Sequence, residues 1–351
     1  MSLVLHWYVM QLADFHYDIP EKLIATTPPT VRGDARLLVL DRQSGTVSDR
    51  HYPDIVDYLE PGDVLVINDT KVIKARLITT KQTGGTRELV LVEKHGRSDD
   101  WHTHKVIYRR KLAVGDKLSV GADTLTVEEL LDGGMAIIKS ERDLLQIAEE
   151  HGSVPLPPYM RRDATPADIE RYQTIFAREQ GSVAAPTASL NMTEETLSRL
   201  RDKGIVVVYA TLHVGLGTFL PIRVEDVTDH HMHKEYFEIP AVTVSAIRDA
   251  KAKGKRVVAL GTTVTRTLEY AHEAILAGPP RDLSGEADIF MYPGYSFKII
   301  DGLITNFHMP DSTVLMLTAA FAGWDKLKPA YEHAIDKSYR FFSYGDSMLI
   351  L

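Results

Sequence analysis

Three clusters of polar or conformationally special residues stand at the ends of apolar runs, where folding can gather hydroxyls, amides and imidazoles into one site. Thr305-Asn306-Phe307-His308 follows Leu303-Ile304, and Pro293-Gly294-Tyr295 follows Ile289-Phe290-Met291-Tyr292. Asn68-Asp69-Thr70 follows the run from Asp63 to Ile67. After the first cluster come Pro310, then Asp311 or Ser312 as a helix N-cap, then an apolar helix over Val314 to Phe321. In open α/β sheets ligands sit outside the carboxyl ends of strands, where helix N-termini also present free N–H groups.

Other segments carry chemistry on two readings each. Gly261-Thr262-Thr263 lies between a buried strand and a helix bearing Arg266, and suits a carboxylate or a phosphate. It equally suits a plain strand-to-helix turn with a threonine cap. The run from Leu212 to Phe219 holds His213, Gly215 and Gly217 after a strand, with no third glycine and no helix pattern behind them. That excludes a dinucleotide fingerprint and leaves glycines that let backbone approach a ligand or another strand. His230, His231 and His233 match no standard metal spacing, and a solvated loop is the favoured reading. Gly181 to Asn191 is small and uncharged, able to pack around a flat base or to serve as a buried connector. Basic groups cluster at Lys71, Lys74 and Arg76, at Arg109 to Lys111, at Arg161-Arg162 and at Lys251 to Arg256. Each alone reads as a solvated face; aligned along one groove they would hold a phosphate backbone. Nucleophile elbow, P-loop and HExxH motifs are missing from the sequence.

The elements that must position these residues follow from periodicity. Strands are expected at Arg36–Asp41, Asp63–Ile67, Ile205–Leu212, Arg256–Leu260, Ile289–Tyr292 and Leu303–Ile304. Helices alternate with them, at Glu194–Lys203, Val242–Lys253 and Thr262–Leu276, which implies a largely parallel sheet with flanking helices. Thr165-Pro166-Ala167-Asp168 is a capped helix start. Between Lys71 and Ser140 short β-like runs recur between turns, the pattern of a small all-β barrel inserted in the α/β chain. The expected division is an α/β unit at 10–72 and 152–351, a barrel at 73–151, and an extension at 1–9. Cysteine is absent, so disulfides and thiolate metal sites are excluded. A net charge of −8 argues against a protein that coats nucleic acid nonspecifically. No apolar run approaches the about 20 residues that span a bilayer, and a cytoplasmic monomer is expected.

Taken together, RLLVLDR, PGDVLVINDTKVIKARL, GSVPLPPYM, RYQTIFA, GSVAAPTA, TLHVGLGTF, MHKEYFEI, GTTVTRTLE, DIFMYPGYSFKIIDGLITNFHMP and YRFFSYGDSMLI resemble one family in order. It is the S-adenosylmethionine:tRNA ribosyltransferase-isomerase family of queuosine biosynthesis. The resemblance implies an α/β domain interrupted by a barrel. It also implies transfer of the ribosyl group of S-adenosylmethionine to 7-aminomethyl-7-deazaguanine in a tRNA anticodon, isomerisation to an epoxycyclopentanediol, and release of adenine and methionine. S-adenosylmethionine is then a co-substrate, tRNA the partner, and no metal is required. On this footing His213 or His308 is expected to move the proton, with Asn306 and Thr187 contacting bases. Arg266 with Thr262 and Thr263 would anchor a carboxylate, and Lys71 and Arg76 would meet tRNA. Tyr292, Gly294 and Tyr295 would form one wall of a nucleoside pocket, Thr305 to His308 a second, and Pro186 to Asn191 a third. Gly215 and Gly217 would give close backbone approach. The chain departs from the family pattern at Ser189, Asn191 and Met192, where a glycine, a histidine and a phenylalanine are usual. That departure motivates an alternative: a paralogue that binds a nucleoside or RNA without the ribosyl transfer.

Overall fold

The computed structural model describes residues 10–98, 100–215, 217 and 222–351. The first nine residues, and Leu216, Thr218 and Phe219 of the glycine-bearing run, lie outside the described residues. In chain order the strands begin with β1 (Arg36–Leu40), β2 (Val47–His51), β3 (Val64–Asn68) and β4 (Thr70–Val72). Next come β5 (Arg76–Lys81), β6 (Thr86–Leu91), β7 (Thr103–Arg109), β8 (Lys117–Val120), β9 (Asp123–Leu131) and β10 (Met135–Ser140). The remainder are β11 (Glu179–Ser182), β12 (Val206–Leu212), β13 (Glu235–Ile239), β14 (Val257–Leu260), β15 (Leu283–Ala287), β16 (Gly302–Asn306) and β17 (Ser347–Ile350).

Nine strands form one sheet in the order β15-β13-β12-β3-β14-β16-β17-β1-β2. Its centre, β12-β3-β14-β16, is parallel. β13 and β15 continue it antiparallel on one side. On the other side β17 runs antiparallel to β16 and parallel to β1. The sheet is therefore mixed rather than largely parallel, because the added strands arrive by other routes than strand-helix-strand crossovers. Side chains alternate between faces along each strand. Val64 and Val66 of β3 join one core with Leu38 and Leu40, while Leu65 and Ile67 join the other with Leu37 and Val39. Helices cover both faces, which is why β3, β14, β16 and β17 are buried along their whole length.

The barrel is closed, six strands in the order β10-β7-β6-β5-β8-β9. Its core holds Leu77, Leu89, Val106, Leu118, Leu125, Val127, Ala136 and Ile138. The helix Leu144–His151 adds Leu144, Ile147 and Ala148 to it. Asp143 caps that helix, its carboxylate accepting from the N–H groups of Leu145 and Gln146, a contact worth about 1 kcal/mol. No helix among the described residues is long and apolar enough to cross a membrane.

Two expectations of local structure fail. Ile289–Tyr292 is not a strand: Met291 is buried and its neighbours are partly buried on the same core, so the apolar run reports packing without pairing. The helix expected over Thr262–Leu276 divides at Ala271 into Thr262–Tyr270 and His272–Leu276. Ser312 is the N-cap of the helix Thr313–Ala322, its hydroxyl accepting from Leu315 N–H.

Candidate active site

β3, β14 and β16 are neighbours and parallel, so their carboxyl ends lie side by side. Those ends are Asn68, Gly261-Thr262-Thr263 and Thr305-Asn306-Phe307-His308, three of the polar clusters that the sequence sets apart. The last two line one cleft with Pro186, Thr187 and Val214, and with Tyr159, Phe342 and Ser343 from elsewhere in the chain. The enclosed part of the cleft is small, about 70 Å³, and it opens to solvent.

Two helices begin at this cleft. Gly261 caps the helix Thr262–Tyr270 at φ +103° without a side-chain hydrogen bond, so its first N–H groups are left for an anion. Val314, in the first turn of Thr313–Ala322, also lines it. Backbone strain gathers here as well. Phe342 lines the cleft at φ +71°, and Arg161 and Asp311, at +49° and +58°, stand two residues from the lining residues Tyr159 and Met309. Such conformations cost about 1–3 kcal/mol each and persist at sites where geometry matters.

The polar groups are organised by one another. Thr187 donates to the Asn306 carbonyl at 2.9 Å, and the Asn306 amide donates to Asp346 O at 3.4 Å. His308 Nε2 and the Thr305 hydroxyl are 2.8 Å apart. Tyr331 accepts from the His308 N–H, and Tyr17 donates to the His308 carbonyl, so the backbone of this residue is fixed. Burial pulls the His308 imidazole down to about 3, which keeps the ring neutral, with one nitrogen a donor and the other an acceptor. Tyr159 packs edge-on against Phe342 and accepts from Ser343 N–H, forming an aromatic ledge.

His213 does not enter this cleft. It follows β12 directly, is buried, and lines a second, polar cleft with Lys94, Trp101, Arg178, Gln180 and Glu238. Its Nδ1 is 2.8 Å from the Thr70 hydroxyl, and its ring stacks on Tyr236 at 6.2 Å. Val214, the next residue, lines the first cleft, so the chain here separates the two. The separation is held by Ser182, whose hydroxyl accepts from Val214 N–H, and by Val214 O, which accepts from Val183 and Ala184. Beside His213, burial raises the pKa of Asp69 despite its bonds to Thr211 and Arg178.

Several expected site residues are placed elsewhere, each for a visible reason. Arg266 is turned away from the cleft into a buried ion pair with Glu235 and also donates to His233 O and Ala287 O. Desolvation would raise the Glu235 carboxyl, but Arg266 and His233 outweigh it and bring the group down to about 2. Tyr295 donates to Glu269, a buried carboxylate that also accepts from the N–H groups of Lys298, Ile299 and Ile300. That clamp keeps Tyr292, Gly294 and Tyr295 out of both clefts. Asn191 donates to Gly345 O at 3.0 Å and the Ser347 hydroxyl at 3.1 Å, fixing β17 rather than facing a base. Gly215 and Gly217 make room for protein side chains: a Cβ at Gly215 would lie 2.5 Å from the Glu93 carboxylate, and one at Gly217 2.6 Å from His233. Arg76 is engaged by Glu88 and Asp163, whereas Lys71 lines a groove beside Lys74 and Gln173. Among the described residues the three-residue group with metal-ligand geometry is Asp123, Glu150 and His151, and Arg142 already bridges its carboxylates.

The sequence reading did not single out Tyr159, Met309, Phe342 and Ser343, which line the cleft. Tyr159 and Phe342 stand in the GSVPLPPYM and YRFFSYGDSMLI motifs, where the only available signal was an aromatic beside prolines or glycines.

Comparison with known proteins agrees across the whole chain. A family model described as "Queuosine biosynthesis protein" matches residues 12–350. The S-adenosylmethionine:tRNA ribosyltransferase-isomerase of Chlorobium luteolum is 54% identical, over 97% of this chain and 100% of its own. That of Francisella tularensis is 46% identical over the same shares. A crystal structure of S-adenosylmethionine tRNA ribosyltransferase from Thermotoga maritima is 34% identical, covering 96% of this chain and 100% of its own, with a TM-score of 0.56. With strand-tip cleft, barrel insert and full-length identity in agreement, the chain belongs to the S-adenosylmethionine:tRNA ribosyltransferase-isomerase family of queuosine biosynthesis.

Proposed function

We propose that the strand-tip cleft receives S-adenosylmethionine and that the polar cleft of His213 faces the modified tRNA base. Family membership supplies the reaction: this chain is an S-adenosylmethionine-dependent tRNA ribosyltransferase-isomerase that forms epoxyqueuosine in tRNA. The ribosyl group moves to 7-aminomethyl-7-deazaguanine, and adenine and methionine depart. The residue assignment rests on one observation, the convergence of Thr262, Thr263, Thr305, Asn306 and His308 on a single cleft at the strand ends.

The chemistry asks for three things. The sulfonium acidifies the adjacent ribose 5′ carbon and is itself a leaving group, so a general base is needed nearby. The departing adenine needs hydrogen-bond donors, and the methionine carboxylate needs an anchor. The N-terminus of the helix Thr262–Tyr270, with the hydroxyls of Thr262 and Thr263, is the anchor in this reading. The ledge of Tyr159 and Phe342 offers an aromatic face to a purine. His308, neutral and held by Thr305, offers a hydrogen bond within the cleft; His213, held by Thr70, is the proton-transfer group in this reading, at the tRNA side. Lys71 is the proposed phosphate contact, since Arg76 is engaged in ion pairs.

The test is adenine release from S-adenosylmethionine in the presence of tRNA carrying the aminomethyl-deazaguanine. Substituting Thr263→Val should raise KM for S-adenosylmethionine, and His213→Ala should lower kcat with KM little changed. Adenine release that survives both substitutions unchanged would place the chemistry elsewhere.

A further inference from the structure

Asn68 ends β3 between the two clefts, is 1% exposed, and has all its amide atoms in use. Its Nδ2 donates to Leu212 O at 3.0 Å and to the Thr263 hydroxyl at 3.4 Å. Its Oδ1 accepts from Leu212 N–H and from Thr70 N–H, both at 3.1 Å. Leu212 is the residue before His213, and Thr70 carries the hydroxyl bonded to His213 Nδ1. Thr263 lines the strand-tip cleft. One buried side chain is therefore bonded to the backbone behind His213, to the backbone of the His213 hydroxyl partner, and to a hydroxyl of the other cleft.

We propose that Asn68 is a positioning residue that sets His213 and Thr263 relative to each other, coupling the two clefts during ribosyl transfer. Only an amide can do this. The same planar group must donate on one edge, to Thr263 and a carbonyl, and accept two N–H groups on the other. An aspartate of the same shape has no donor for Leu212 O, which its second oxygen would face, and the Thr263 hydroxyl would have to turn from accepting to donating. A buried group that loses its partner costs more than the bond was worth, so the Leu212 backbone must shift to find a new one, and the Thr263 hydroxyl must turn. A shift at Leu212 moves His213, and displacements of that order matter where reacting atoms must align. Asn68 touches neither substrate in this arrangement; it acts through Thr70, Leu212 and Thr263.

The inference rests on the functional reading above, and the experiment separates the two. Wild type, Asn68→Asp, Thr70→Val and Thr263→Val are compared for adenine release across pH, for S-adenosylmethionine affinity by calorimetry, and for the His213 imidazole resonances by NMR. Thr70→Val is expected to move the acid limb of the kcat profile and the His213 resonances, leaving S-adenosylmethionine affinity in place. Thr263→Val is expected to weaken S-adenosylmethionine binding and leave the His213 resonances in place. Asn68→Asp is expected to do both, with kcat lowered by roughly a hundredfold. A folded Asn68→Asp protein with wild-type kcat, pH profile and His213 resonances overturns the proposal. If Asn68→Asp does not fold, Thr70→Val and Thr263→Val decide: both unchanged in every readout also overturns it. Wild-type protein that releases no adenine defeats the functional reading instead, and the calorimetric and NMR comparisons still decide the role of Asn68.

Discussion

Replacing Arg266 by methionine separates two roles for this guanidinium, anchor of a substrate carboxylate or partner of a buried glutamate. Glu235 is fully buried, and its carboxylate stays ionised because Arg266 faces it. Its other contacts include the Gly215 N–H at 2.9 Å, which carries no charge, and His233 Nε2 at 3.3 Å. Removing one member of a buried ion pair costs about 3–5 kcal/mol, since the remaining charge is left in a medium that solvates it poorly. For 351 residues, at about 2.1 cal/mol/K each, the unfolding entropy is about 0.7 kcal/mol/K, so the midpoint should fall by about 4–7 °C. A second change, Glu235→Gln, removes the orphaned charge and should return at least half of the loss, because an amide can still accept from Gly215. Differential scanning calorimetry reads both variants, and isothermal titration reads their S-adenosylmethionine affinity. Arg266→Met protein that melts with the parent but no longer binds S-adenosylmethionine would refute the structural role and restore the anchor.

Three further outcomes follow from named contacts. Gly181 sits at φ +147° with the His213 Cε1 2.9 Å from where a Cβ would be, so Gly181→Ala should displace the ring and lower kcat at least tenfold while the circular dichroism spectrum is kept. His95 is bonded to Glu93 in the barrel and to Glu286 on β15; Glu93 first, then Glu286, raise its pKa against the opposing effect of burial. Its contribution is therefore complete below the unfolded value of about 6.5 and lost as pH rises through the higher folded value, and His95→Gln should flatten the dependence of the melting midpoint between pH 6 and 8. His308 stays neutral down to about pH 3, so His308→Gln should lower kcat yet leave the midpoint of any acid limb near neutrality where it was; a moved midpoint would contradict the buried neutral ring.

Local pattern carried most of the barrel and the sheet centre. RELVLVE, HKVIYR, KLSV and MAIIKS alternate with period two and are bounded by glycine turns, which is sufficient where partners are neighbours in sequence. β17 was hidden because SMLI has no turn before it that names its partner, and both its neighbours are distant in the chain. The same distinction governs the site. Thr262, Thr263 and Thr305 to His308 were legible as strand tips, because strand ends in a parallel sheet converge by construction of the sheet itself. The ion pair of Arg266 could not be read from the sequence, because its partner Glu235 belongs to β13 and nothing in either segment announces the pairing. The bond of Tyr295 to Glu269 was hidden for the same reason, since the two stand in separate segments. Asn191, conspicuous as a departure from the family pattern, donates to Gly345 O and to the Ser347 hydroxyl, contacts that its segment alone does not announce.

The place of β17 also sets a clock. Leu37 of β1 pairs with Ser347 of β17, 310 residues later (347 − 37), and β17 in turn joins β1 to β16. At a synthesis rate of about 5–20 residues per second, the hairpin of β1 and β2 waits about 15–60 s for the strand that attaches it to the sheet. The barrel needs no such wait, since its strands meet partners within residues 76–140. On the ribosome, then, the inserted domain matures first and the catalytic sheet last, with β1 exposing an unpaired edge throughout the interval. Asn191, whose amide reaches Ser347, is in position to receive β17 when it arrives.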